Sequence, residues 1–83
     1  EFAVVMPEHA LEDAVAFAET LRAGIAGLPL ALSDGPDHVT VSIGAAAWLS
    51  GMMATGDLMR AADDQLYRAK QGGRNRVCST LTP

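Results

Sequence analysis

The stretch from Ala61 to Val77, A-A-D-D-Q-L-Y-R-A-K-Q-G-G-R-N-R-V, decides how the C-terminal part of this chain folds. Apolar residues recur through it at helical spacing: Leu58, Ala62, Leu66 and Ala69. This spacing predicts an amphipathic helix from about Gly56 to Gln71. Thr55 is a candidate cap at its start, and Gly72-Gly73 is expected to end it in a left-handed turn.

Cations crowd the end of this predicted helix, although the whole chain carries a net charge of −4. Four of its six Lys and Arg residues lie there: Arg68, Lys70, Arg74 and Arg76. Cations in a last helical turn complement the helix dipole, which alone explains many such clusters. Cations beside a glycine turn also suit phosphate oxygens. Composition alone favours the helix-dipole interpretation, and the order of the residues, described below, favours phosphate binding.

The residues before this helix predict a strand, a second helix and a second strand. Phe2–Met6 is an apolar run stopped by Pro7, which predicts a strand buried on both faces. From Glu8 to about Leu28 the apolar residues follow a helical period. Val39 to Ala47 opens with strict alternation of aliphatic and small polar residues, and this is the clearest strand pattern in the chain.

Shorter elements complete the pattern. Leu30–Leu32 predicts a short strand, Ser33–Asp37 a turn, and Arg76–Ser79 a final strand. The order is therefore strand, helix, hairpin, helix, strand. It predicts an α+β fold in which two main helices cover an antiparallel-rich sheet.

Composition limits the class of protein. A chain of 83 residues forms at most one small domain, and its 49% hydrophobic content favours a folded one. The acidic charge argues against a nucleic acid polymer as a partner. Cys78 is the only cysteine, which agrees with a cytoplasmic location. No apolar run reaches membrane-spanning length, so no membrane contact is expected from this segment.

The order of residues in the C-terminal stretch closely resembles the end of the GGDEF domain, the catalytic domain of bacterial diguanylate cyclases. That family signature reads roughly A-D-x-A-L-Y-x-A-K-x-x-G-R-N. It matches here at Ala62-Asp63, Leu66-Tyr67, Ala69-Lys70 and Gly73-Arg74-Asn75. Val39–Gly44 resembles the family's V-T-x-S-x-G strand. Glu1-Phe2 resembles the end of the family's Gly-Gly-Asp/Glu-Glu-Phe signature, and the run to Pro7 resembles the usual continuation of that signature.

The resemblance covers residues 1 to about 79, but only about the second half of the family's domain. It implies that residues 1–80 are the C-terminal half of a domain with a nucleotidyl cyclase-like, ferredoxin-like core, and that residues 81–83 are a tail. In such a fold Gly44 is expected where its strand passes close to another element. Asn75 is expected to pin the turn, and Tyr67 to be structural.

The resemblance also implies an activity. A complete domain of this family condenses two GTP molecules into cyclic di-GMP with Mg²⁺ or Mn²⁺, for bacterial second-messenger signalling, and pairs with a second GGDEF domain as a homodimer. Glu1 is then a catalytic residue near the ribose 3′-hydroxyl, and Lys70 and Arg74 bind substrate phosphates. The metal ligands are expected upstream and none within this chain. The chain by itself is therefore expected to be inactive.

Two alternatives remain beside the enzyme. One is a degenerate GGDEF domain that binds GTP or cyclic di-GMP as a sensor without turnover. The other is a non-catalytic fragment held together by oligomerisation. A GTP turnover assay and the elution volume of the purified chain separate them.

Overall fold

The computed structural model describes residues 1–29 and 38–81. Within these ranges the chain forms helix α1 (Leu11–Ala26), strand β1 (Ile43–Gly44), helix α2 (Thr55–Gln71) and strand β2 (Val77–Cys78). Helix α2 packs on both strands, and α1 packs on β2. The two predicted helices and the final strand are confirmed. The strand predicted at Leu30–Leu32 and the turn at Ser33–Asp37 lie outside the described residues.

The two strands are parallel, so the prediction of an antiparallel-rich sheet is wrong for the described residues. Ile43 lies opposite Val77, and Gly44 opposite Cys78. The N–H of Ile43 donates to the Arg76 carbonyl at 3.0 Å, and the N–H of Ala45 donates to the Cys78 carbonyl at 2.9 Å. The physical reason is the connection. Because α2 lies between the strands in sequence, β1, α2 and β2 form a crossover unit, which returns the chain in the same direction.

Phe2–Met6 does not form the buried strand that its composition predicts. Phe2 is 100% exposed and Val5 is 80% exposed. A strand exists only where a neighbour completes its hydrogen bonds, and the described part of the chain supplies none for this segment. The strand predicted over Val39–Ala47 is likewise reduced to Ile43–Gly44, the residues that face β2.

Helix α2 begins differently from the prediction. Thr55 is its first residue and does not cap it. The Asp57 carboxylate accepts hydrogen bonds from the N–H groups of Met53, at 2.8 Å, and Ala54, at 3.2 Å. These bonds, more than the nearby Arg60 cation, lower the pKa of Asp57 below its ordinary value. Asp57 therefore fixes the path by which the chain enters the helix.

Helix α2 and strand β1 pack with their backbones in close contact at Gly44. A Cβ atom added to Gly44 would lie 2.2 Å from the Ala62 carbonyl oxygen and 2.2 Å from the Leu66 nitrogen. Only a glycine lets the strand approach the helix backbone this closely. Ala69, further along α2, is 0% exposed. The architectural role predicted for Gly44 and the apolar stripe of α2 are both confirmed.

Candidate functional site

The chain leaves α2 through a turn with an unusual backbone. The N–H of Gly72 donates to the Arg68 carbonyl at 2.9 Å, and the N–H of Arg74 donates to the Ala69 carbonyl at 2.9 Å. Gly73, Arg74 and Asn75 then have positive φ angles of 117°, 66° and 49°. The left-handed turn predicted from Gly72-Gly73 is thus confirmed at Gly73, and it extends two residues further. Left-handed backbone at a residue with a long side chain is uncommon and is held by its surroundings.

The backbone amides of this turn are all used within the protein. The N–H of Gly73 donates to the Lys70 carbonyl at 3.4 Å, and the N–H of Asn75 donates to the Ser42 hydroxyl oxygen at 3.1 Å. With Gly72 and Arg74 also bonded, residues 72–75 have no main-chain donor left for an anion. Any contact between this turn and phosphate therefore falls to the side chains.

Two of the four clustered cations are bonded to the protein itself. The Arg76 Nε donates to the Arg74 carbonyl at 3.0 Å, and its guanidinium lies against the backbone of the glycine pair. The Arg68 Nη1 donates to the Gln65 side-chain oxygen at 2.7 Å and to the Ser79 carbonyl at 3.4 Å. These two side chains thus stabilise the turn and the end of the helix. They are not the best candidates for a ligand.

The other two, Lys70 and Arg74, are exposed and line a cleft of about 1330 Å³. Its walls come from the N-terminal segment, α1, the strand region around β1, and α2. Glu1 lines the same cleft and is also exposed. The structure therefore brings all three predicted site residues to the walls of one open space. Their roles stay predictions.

Asn75 ties the turn to two distant parts of the chain, as predicted for a residue that pins it. Its N–H reaches Ser42, and its side-chain oxygen accepts a hydrogen bond from Arg22 Nη1 at 2.8 Å. Sequence reasoning missed Arg22 and Ser42 as parts of this site. Arg22 follows Glu19 by three residues in α1, a spacing typical of a surface ion pair. Nothing in the sequence points from Arg22 to a partner 53 residues away.

Tyr67 lies on α2 as predicted, but it is 64% exposed, which does not support a packing role. Among the described residues, no three His, Cys, Asp or Glu side chains are grouped closely enough to hold a metal ion. Within the same ranges, no helix is both long and apolar enough to cross a membrane.

Comparison with known proteins decides the family. A family model described as "Diguanylate cyclase, GGDEF domain" matches residues 1–76. The chain belongs to the GGDEF domain family. It is 42% identical over 79 residues to the uncharacterized protein YhcK of Bacillus subtilis, covering 94% of this chain and 22% of YhcK. It is 39% identical over 79 residues to the response regulator PleD of Caulobacter vibrioides, covering 93% of this chain and 17% of PleD.

Solved structures agree with this assignment. The GGDEF domain of DgcB from Caulobacter crescentus, solved with c-di-GMP, is 30% identical and has a TM-score of 0.79. The match covers 89% of this chain and 43% of the DgcB chain. This GGDEF chain therefore spans less than half of a solved relative and about a fifth of the two proteins above.

Proposed function

We propose that residues 1–80 act as the C-terminal half of a diguanylate cyclase domain, which condenses two GTP molecules into cyclic di-GMP. One observation carries the proposal. Of the four cations at the end of α2, Lys70 and Arg74 match the phosphate-contacting positions of the GGDEF signature, and these two line the cleft. The helix-dipole interpretation of the cluster gives no reason for this division of roles.

The chemistry suits these side chains. In the proposed reaction the ribose 3′-oxygen of each GTP bonds to the α-phosphorus of the other, and each of these two bonds displaces one pyrophosphate. Negative charge builds on phosphate oxygens, and fixed cations stabilise it. Lys70 offers a compact charge and Arg74 a two-pronged donor. Glu1, on the wall of the same cleft, is proposed to handle the proton released by the 3′-hydroxyl.

The proposed metal is Mg²⁺ or Mn²⁺, which would stabilise the same phosphate charge. The described residues do not provide a cluster of ligands for it. We therefore assign no metal ligand to this chain and derive no step through the metal. Its ligands are proposed to come from the part of the domain that precedes Glu1.

The proposed partners follow from the family. The DgcB structures are complexes with c-di-GMP, which supports the same molecule as a ligand of the complete domain. A second GGDEF domain is the proposed partner for catalysis, since two GTP molecules must meet. The proposed location is the cytoplasm, where GTP is found.

Turnover in the full-length protein tests the proposal. With GTP and Mg²⁺, the protein is expected to release cyclic di-GMP, detected by chromatography. Lys70→Ala and Arg74→Ala are each expected to remove about 1.5–3 kcal/mol of transition-state stabilisation, the typical loss of a charge-assisted contact. Arg60→Ala is the matched control, because Arg60 is a cation of α2 whose side chain is 75% exposed and outside the cleft lining.

The outcomes separate the candidate functions. Binding of GTP or cyclic di-GMP without turnover would favour the sensor. Full activity of both cleft variants would refute the phosphate role and leave only the helix-dipole interpretation. The 83-residue chain alone is expected to show no turnover above a protein-free control, because its described residues offer no cluster of metal ligands and its sequence holds only the last two residues of the signature.

A further inference from the structure

We infer that Arg22 is a positioning residue for Arg74: it holds the turn from which the phosphate-binding side chain emerges. Arg22 lies on α1 and Arg74 follows α2, and the link between them is Asn75. The inference rests on the proposed function, since it assigns Arg22 a role in the same site.

Glu19 orients the Arg22 guanidinium. Arg22 Nε donates to both carboxylate oxygens of Glu19 at 3.0 Å, and Nη2 donates to the same carboxylate. The Arg22 side chain is only 20% exposed, in contrast to an ordinary surface ion pair. Glu19 thus occupies the Nε and Nη2 edge of the forked guanidinium, and the remaining Nη1 donates to the Asn75 side-chain oxygen at 2.8 Å. The planar guanidinium is thus set in one orientation by two partners.

Asn75 passes this constraint to the turn. Its side chain is held by Arg22 and its main chain by the Ser42 hydroxyl, so α1 and the residue before β1 meet at one position. Asn75 and Arg74 both have positive φ angles, which cost free energy and persist only where surrounding contacts offset that cost. The contact with Arg22 is the one that comes from the farthest point in the sequence.

A fixed turn gives Arg74 a fixed origin. Its N–H is bonded to the Ala69 carbonyl, and its carbonyl accepts from Arg76. The side chain therefore starts from a backbone held on both sides, and loses less freedom when it binds phosphate. Without the contact to Arg22, the turn would no longer hold the Arg74 backbone in a fixed position.

A purely structural role for Arg22 makes a different prediction from a positioning role. A double-substitution cycle in the full-length protein distinguishes them. Arg22→Met is expected to lower kcat/KM for GTP about tenfold, mainly through KM. In an Arg74→Ala background it is expected to cause no further loss, because the side chain it positions is gone. An equal loss in both backgrounds would overturn the inference.

Hydrogen exchange of the full-length protein tests the brace, meaning the hold of Arg22 on the turn through Asn75, independently of catalytic activity. Arg22→Met is expected to speed exchange in the peptide that covers residues 72–76, whereas Arg60→Met is expected to leave it unchanged. Unchanged exchange in Arg22→Met would refute the brace even in an active enzyme. Faster exchange in a protein that does not turn over GTP would keep the brace and refute the proposed function.

Arg22→Lys is a milder substitution that keeps the inference testable if Arg22→Met does not fold. It keeps the charge but not the fork, so it cannot bond Glu19 and Asn75 in the same geometry. We expect it to retain the melting temperature of the wild type, to raise KM, and to speed exchange at residues 72–76. A variant with wild-type KM and exchange would overturn the inference.

Discussion

Gly44 shows how a single residue sets the distance between a strand and a helix. Because a Cβ there would meet the backbone of α2 at 2.2 Å, Gly44→Ala forces the strand and the helix apart. We expect a loss of about 3 kcal/mol or more in the free energy of unfolding, the upper range for overpacking. Urea unfolding followed by circular dichroism measures it.

Gly56→Ala is the control for this prediction. Gly56 lies in the first turn of α2, and a Cβ there meets nothing within 4 Å. Alanine favours helix more than glycine does, so this variant is expected to be more stable by about 0.5–1 kcal/mol. If the two substitutions had the same effect, the close packing at Gly44 would not be what limits stability.

The sequence predicts the roles of some single residues at this site and not those of others. The roles of Gly44 and Asn75 were predictable because both sit in motifs whose spacing is visible in the sequence. Ser42 lies in the same strand motif as Gly44, but the motif does not indicate its partner. Arg22 carries no such signal, and both residues meet Asn75 only after the chain has folded. The family signature separates Lys70 and Arg74 from the other two cations, but the structural basis of this division is not visible in the sequence. It depends on Arg76 folding back over the glycine pair and on Arg68 reaching Ser79.

At the scale of elements, the start of α2 makes stability depend on pH. The main-chain hydrogen bonds from Met53 and Ala54 hold the pKa of Asp57 below its ordinary value of 3.8. The ionised carboxylate therefore stabilises the folded state fully above that value, and this contribution is lost as the pH falls through the lower folded-state pKa. We expect Asp57→Asn to destabilise the protein most at neutral pH and progressively less as the solution is acidified below 3.8.

Urea unfolding at a series of pH values, at fixed protein concentration, tests this prediction. Asp64→Asn is the control, because Asp64 is an exposed carboxylate in the middle of the same helix. A difference between wild type and Asp57→Asn that did not shrink in acid would show that the carboxylate does not act through its charge.

The elements also differ in how well the sequence predicts them. Both helices were found within a few residues of their ends, because helical periodicity is a local property of the chain. The strands were less predictable, because pairing depends on residues far away in sequence. Phe2–Met6 has the composition of a strand and no partner among the described residues. The parallel direction of β1 and β2 followed from the helix between them, which the predicted order already contained.

The described part of the chain leaves much apolar surface uncovered. Phe2 is 100% exposed, Val4 66% and Val5 80%, and all three line the large cleft. The sheet has only one pair of two-residue strands among the described residues. So small a core contributes little folding free energy. Exposed apolar residues whose backbone N–H and C=O groups lack partners can pair with the same segment of another copy.

We therefore expect the purified 83-residue chain to form a dimer or a larger assembly at micromolar concentration, measured by light scattering. Val5→Lys places a charge on the exposed N-terminal segment and is expected to shift the chain toward monomer, because a buried contact would have to desolvate the cation. Ala23→Lys adds the same charge at an exposed position of α1 outside the cleft lining and is expected to leave the assembly intact. A wild-type monomer with sharp, well-dispersed amide signals in NMR spectra would show that the chain covers its own apolar residues, and the expectation of self-association would be wrong.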